Sequence, residues 1–236
     1  LMSDLDSFER VGHFEYVPLL GGEAAIKKPY RMALSYIWSL LGEDFPIDGL
    51  PLAKVGRDAL ALLKQQFQRG LNCPPTSSAG RLFDAVSAIA GVRGEVSYEA
   101  QAAIELEMAA AGIRTSKPYP FEIVEQDGMR IIKLSGLIAA VVKDVRNGAP
   151  VSRISLKFHN TVAHIVREMC RSISKDTGIK TIALSGGVFQ NRMLARLMFD
   201  LLEKDGFNVL SHRDVPCNDG CISLGQAVIA NFTLSR

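Results

Sequence analysis

From Val151 onward the apolar positions switch between two periods. Ile154, Phe158, Val162, Ile165, Met169 and Ile173 keep the three-to-four spacing of one long amphipathic helix. Thr181 to Leu184 and Phe207 to Ser211 are short β-favouring runs, and helical spacing returns at Asn191 to Lys204 and at Cys221 to Phe232. A strand, a helix, a second strand and a final helix predict an α/β arrangement, with a parallel strand pair joined by a right-handed crossover.

The stretch before it is mostly helical in pattern. Met32 to Leu41 and Leu52 to Arg69 each carry apolar residues at helical spacing, the second stopping at Gly70. The Pro- and Ser-containing loop from Asn72 to Ser78 delivers another helix. Ser77 or Ser78 is its expected cap, and Leu82, Phe83, Val86 and Ile89 form its apolar stripe. A further helix is expected from Tyr98 to Ala111, ending at Gly112. Pro120 to Glu125 and Met129 to Leu134 flank Asp127-Gly128, a hairpin signal, after which Ser135 caps a helix that ends near Asn147-Gly148. The first thirty residues read as loop-rich, with one strand. The expected organisation is a loop-rich segment over 1–30 continuing from a lobe that precedes it, a helical subdomain with a β-hairpin over 31–150, and an α/β nucleotide-binding lobe over 151–236.

Composition narrows the class. At 47% hydrophobic and 22% charged, 236 residues can bury a substantial core. The net charge of +2 comes from interspersed residues, without the basic tract that tracks a phosphate backbone, so nucleic acid is not an expected partner. No run approaches the roughly 18 apolar residues of a membrane span, and no charged-then-apolar leader is seen, so a cytoplasmic protein is expected. The four cysteines (Cys73, Cys170, Cys217 and Cys221) are too scattered for a disulfide framework, and Cys217 and Cys221 lack a second pair for a zinc tetrahedron. The opening LMSDLDSFERVG reads as mid-chain, so a larger polypeptide is expected.

Two neighbouring features concentrate the candidate chemistry. Gly186 and Gly187 end the apolar run Thr181-Ile-Ala-Leu and lead into a helix. They put bare backbone at a strand tip, where a nucleotide can approach, and Asn191 one turn later offers an amide that donates and accepts. A glycine pair at a strand-to-helix turn also has a purely steric reading. Asp219, in Pro216-Cys-Asn-Asp-Gly-Cys221, is either a helix cap or a metal ligand, and one carboxylate does not make a metal site. Asp84 lies between Phe83 and Ala85 at the edge of a buried face, solvated or paired with ribose hydroxyls. His159 and His164 are five apart, the wrong spacing for two imidazoles to converge, although His159 is placed to face a cleft.

The ordered motifs GGEAAIKKPYRMAL, SSAGRLFDAVSAIAG, SYEAQAAIELE, LKFHNTVAHIV, LSGGVFQNRML and PCNDGCISLGQA resemble the carbamoyltransferase family that includes HypF, from Gly21 to Asn231. The resemblance implies the C-terminal part of a TsaD-like domain. That is an ASKHA (actin-like ATPase, RNase H-like) α/β lobe with a largely helical insertion. By the same resemblance Gly186, Gly187 and Asn191 match a turn that contacts adenosine, Asp84 in Gly80-Arg-Leu-Phe-Asp84 matches a ribose-binding aspartate, and Asp219 matches a metal ligand. The implied cofactors are ATP or AMP, as carbamoyl-adenylate, and a divalent iron- or zinc-type metal.

There are departures. Family members use a histidine pair at i,i+4 spacing, and no such pair occurs here, so the metal would need histidines outside this chain. Arg81 replaces the glutamate of the tRNA-modifying branch, and Ser97-Tyr-Glu-Ala-Gln replaces its Gly-rich segment, which favours HypF. Acylphosphatase, zinc-finger and YrdC-like regions of HypF proteins are not in this sequence.

The resemblance implies transfer of a carbamoyl group, made from carbamoyl phosphate and ATP, from carbamoyl-adenylate to the C-terminal cysteine of HypE in [NiFe]-hydrogenase maturation. The expected partners are HypE and other domains of the same polypeptide, and the chain alone is expected to be inactive. An O-carbamoyltransferase acting on a small-molecule hydroxyl, and a non-catalytic nucleotide-binding or docking module, remain as alternative readings.

Overall fold

A computed structural model describes residues 1–5, 7–110 and 117–235. The chain opens with β1 (Met2–Ser3), β2 (Phe8–Glu9), β3 (Gly12–Phe14) and β4 (Val17–Pro18), then α1 (Glu23–Lys27), α2 (Pro29–Leu41) and α3 (Arg57–Arg69). Next come β5 (Pro75–Thr76), α4 (Ala79–Ile89), α5 (Gln101–Ala109), β6 (Glu122–Gln126), β7 (Met129–Lys133) and α6 (Ser135–Arg146). The long α7 (Val151–Thr177) leads to β8 (Thr181–Leu184), α8 (Arg192–Lys204), β9 (Asn208–Ser211) and α9 (Ile222–Leu234). The fold is α/β, as the alternation of periods implies.

These elements form two compact units that interleave in sequence. One comprises Leu1–His13, Ile123–Ile132 and Val162–Arg236; the other comprises Phe14–Glu122 and Lys133–Thr161.

The second unit is a helical layer. Every residue of α2 from Met32 to Trp38 and of α4 from Leu82 to Ile89 is buried, and the two helices pack on each other. Helices buried all round belong in the middle of a bundle, so α5 and α6 are needed on their outer sides. Phe83 meets the ring of Phe158 edge-on at 4.7 Å, which joins α4 to α7.

In the first unit β8 and β9 run parallel in the register Thr181↔Asn208 to Leu184↔Ser211. The stripe Leu194, Met198 and Leu202 of α8 is buried, and α8 packs on β9. The hairpin of β6 and β7 joins β3 in a three-stranded sheet, and Asp127 (φ 53°) and Gly128 (φ 74°) make its two-residue turn in the left-handed region.

Local differences from the sequence reading have physical causes. The stretch Leu52 to Arg69 is not one helix: a 3-10 turn at Pro51–Lys54 ends in the extended residues Val55 and Gly56, and α3 starts afresh at Arg57. Neither serine cap forms as expected. Ser78 occupies the cap position of α4 but its side chain makes no cap bond, and Ser135 is already the first helical residue of α6. The helix expected from Tyr98 begins at Gln101, because Ala100 is left-handed (φ 60°); its stop at Gly112 lies outside the described residues. Among the described residues, the first thirty hold four short strands and α1 rather than one strand.

Candidate functional site

The parallel strands deliver their carboxyl ends to a cleft of about 400 Å³, walled by Leu184 of β8, Phe189, Phe199 of α8, His212, Pro216 and Cys217. Ligands in open α/β sheets favour this end of the strands. Gly186 has φ 109°, a left-handed value that disfavours any side chain, and its N–H donates to the Cys217 carbonyl at 2.7 Å. This bond brings the glycine turn and the acidic loop together. A Cβ at Gly186 would meet nothing within 4 Å, so the backbone on that face is open to an approaching ligand.

Gly187 does not open the long helix directly. It begins a 3-10 turn, Gly187–Gln190, and Asn191 is the cap of α8 rather than a residue one turn inside it. The Asn191 side-chain oxygen accepts from the Leu194 N–H at 2.8 Å, and the residue is 9% exposed. Its first role is therefore to hold the start of α8 in place beneath the turn.

The capping alternative for Asp219 is answered by its neighbour. Asn218 caps the short 3-10 turn Asp219–Cys221, its side-chain oxygen accepting from the Gly220 N–H at 3.1 Å. The Asp219 side chain is exposed and has no hydrogen bond or ion pair among the described residues. It is a carboxylate without structural employment. Among the described residues no group of three His, Cys, Asp or Glu side chains could hold a metal.

Asp84 belongs to the helical unit. It is 3% exposed, and burial pushes its carboxyl up to about 6, opposed by the charge of Arg81. Arg81 Nη1 lies 2.9 Å from Asp84 Oδ2, yet neither atom has an aligned hydrogen bond; the buried Tyr36 hydroxyl and Ser87 Oγ also lack partners. Burial pushes the Tyr36 phenol up as well, with the Glu15 charge adding to the effect. Buried polar atoms without an aligned hydrogen bond, Asp84 Oδ2 among them, are unusual for a purely structural cluster.

His159 does not face a cleft. It is fully buried against Phe83, its ring 2.8 Å from the Ser155 carbonyl, and burial lowers its pKa. His212, isolated in sequence, is instead a wall of the cleft and bonds Ser185 Oγ at 2.9 Å. Phe189 and Phe199 were also missed; the signal was an aromatic inside the glycine turn and another on the adjacent helix.

Residues 1–226 match the family model described as "Carbamoyltransferase, Kae1-like Domain, second subdomain". The chain belongs to the HypF carbamoyltransferase family. It is 34% identical over 234 residues to Carbamoyltransferase HypF of Synechocystis sp. (93% of this chain, 30% of that protein), and 34% identical over 221 residues to the probable carbamoyltransferase HypF of Methanocaldococcus jannaschii (93% and 28%). A crystal structure described as full-length HypF in the phosphate- and nucleotide-bound form superposes with a TM-score of 0.90 at 44% identity, over 99% of this chain and 30% of that one. The chain thus spans about 30% of the length of these HypF relatives. Its ASKHA-type α/β fold is the one that the motif order implies. No helix among the described residues is long and apolar enough to cross a membrane.

Proposed function

We propose that this chain supplies the adenine-nucleotide grip of a cytoplasmic HypF-type carbamoyltransferase. The carrying observation is the cleft at the carboxyl ends of β8 and β9, beside an open left-handed Gly186. In this reading Phe189 and Phe199 offer apolar faces to a purine, and the bare backbone of Gly186 and Gly187 lets it approach. Asn191 keeps the turn rigid through its cap and presents the remainder of its amide to the nucleoside. Asp219 is the carboxylate offered to a divalent ion, whose other ligands are histidines outside this chain; bound there, the ion would polarise phosphate or carbonyl oxygens. Asp84 serves as a ribose acceptor once hydroxyl groups replace Arg81 as its partners.

The reaction proposed for the intact protein is transfer of the carbamoyl group from carbamoyl-adenylate, made from carbamoyl phosphate and ATP, to the C-terminal cysteine of HypE. Other domains of the same polypeptide contribute, and this chain alone is inactive. Support comes from family membership and from the ordered motifs between Gly21 and Asn231. Titration of the intact protein with AMP, together with transfer of labelled carbamoyl to HypE, tests the reading. Both should be seen, and both should weaken in a Phe189→Ala variant. AMP binding without transfer to HypE would favour another acceptor, and no AMP binding would leave a docking module.

A further inference from the structure

A second cleft lies at the other ends of the same two strands. Lys180 precedes β8 and Phe207 precedes β9, and with Arg171, Ser174 and Lys175 from the last turns of α7 and Asp205 beyond α8 they line about 350 Å³. The four residues of β8 separate it from the glycine turn by roughly 13 Å, so it is distinct from the nucleotide cleft.

Its charges are unequally engaged. Arg167 holds both Asp205 oxygens at 2.6 Å, and Arg171 Nε lies 3.0 Å from the same carboxylate. The hydrogen bonds from Arg167, with the charges of both arginines, keep the Asp205 carboxyl below its usual range. Arg171 also reaches Glu168 at 3.4 Å. Lys175 and Lys180 have no carboxylate at ion-pair distance among the described residues, and the Lys180 ammonium lies 5.3 Å above the Phe207 ring.

Ser174 lines the same cleft. It is 7% exposed, and its Oγ has no hydrogen-bond partner. A buried hydroxyl left unpaired in a cleft that two lysines without a carboxylate partner also line calls for an acceptor from outside the chain.

We propose that this cleft binds the phosphate group of a small molecule. Phosphate oxygens accept from all sides, which suits two ammonium point charges and one hydroxyl. A carboxylate fits less well, because the Arg167 fork is already closed on Asp205 and Arg171 is shared between Asp205 and Glu168. The proposal stands apart from the nucleotide reading, since it uses none of its residues.

Calorimetric titration of the intact protein at fixed ionic strength tests it, with inorganic phosphate and glycerol 3-phosphate as separate arms. A saturable phosphate site should weaken about tenfold in the Lys175→Gln, Lys180→Gln double variant, the scale of one charge-assisted hydrogen bond. Ser174→Ala should weaken it several-fold while leaving Tm unchanged or higher. Tighter binding of glycerol 3-phosphate identifies a phosphorylated metabolite as the ligand, and equal binding identifies phosphate itself. The proposal is overturned if the lysine variant titrates like the parent, if acetate competes as well as phosphate, or if Ser174→Ala lowers Tm without changing binding.

Discussion

The N–H of Gly186 donates to the carbonyl of Cys217 at 2.7 Å, and through it the glycine turn after β8 is fastened to the loop that carries Asp219. The bond requires the Gly186 backbone at φ 109°, where side chains are strongly disfavoured, although a Cβ would meet no neighbour within 4 Å. Space is therefore not what demands glycine there. The backbone angle is.

Gly186→Ala should accordingly destabilise through backbone strain alone, by about 1–3 kcal/mol. Urea denaturation measures the loss. Because the strain falls on the turn, AMP affinity should drop as well. Gly187→Ala, at a residue outside the left-handed region and with only the Asn218 Cβ near at 4.0 Å, should cost much less stability. Equal losses in the two variants would contradict this account of the turn.

Asn218 and Asp219 are adjacent but have separable roles. Asn218→Ala removes the cap on the Gly220 N–H and should cost about 1 kcal/mol. Asp219→Asn removes an exposed charge with no partner among the described residues, and its effect on stability should stay within about 0.5 kcal/mol. If Asp219 serves the reaction, that silent change abolishes carbamoyl transfer to HypE. Loss of stability in Asp219→Asn, seen by thermal melting, would instead assign it a structural role.

In the helical unit, Phe83→Ala should cost about 3–5 kcal/mol, because the ring is 1% exposed and touches both Phe158 and His159. His159 adds a pH dependence. Burial lowers its pKa from 6.5, so the unfolded chain binds the proton more readily. Its contribution is present above about pH 6.5 and is lost as the pH falls through and below that value. A His159→Gln variant, compared by urea denaturation at pH 5 and pH 7.5, should lose less stability on acidification than the parent.

The long-period features were legible in the sequence because each rests on local pattern. The β8 strand, the Asp127-Gly128 hairpin and the long α7 follow from residue periodicity and turn chemistry that neighbours reinforce. The caps were not legible in the same way. Ser78 reads as a cap and its side chain makes no cap bond, whereas Asn191 reads as a ligand-facing amide and caps α8 through Leu194. Asp219 shows the same limit, since the cap that its position suggests is made by its neighbour Asn218. His212 and Phe199 could not be placed beside Pro216 from sequence, because the cleft they share is closed by strand pairing rather than by spacing along the chain.

Asp84 gives the sharpest test, since one titration would move stability and, on the proposed reading, ligand binding together. Burial raises its pKa from 3.8 to about 6 against the opposing charge of Arg81, so the folded state holds the proton longer than the unfolded one. Its contribution to stability is therefore fully present below about pH 4 and is lost as the pH rises through about 6. The change is on the order of 3 kcal/mol, the free energy that separates proton binding at 3.8 from proton binding at about 6. Asp84→Asn does not titrate, so the stability of the parent relative to the variant should fall between pH 4 and pH 7. Urea denaturation at those two values reads the difference. If ribose hydroxyls bond the charged carboxylate, AMP affinity should rise through the same interval in the parent and stay flat in Asp84→Asn. A parent whose stability changes with pH while its AMP affinity does not would leave Asp84 as a buried acid paired with Arg81, and would move the ribose contact to another residue.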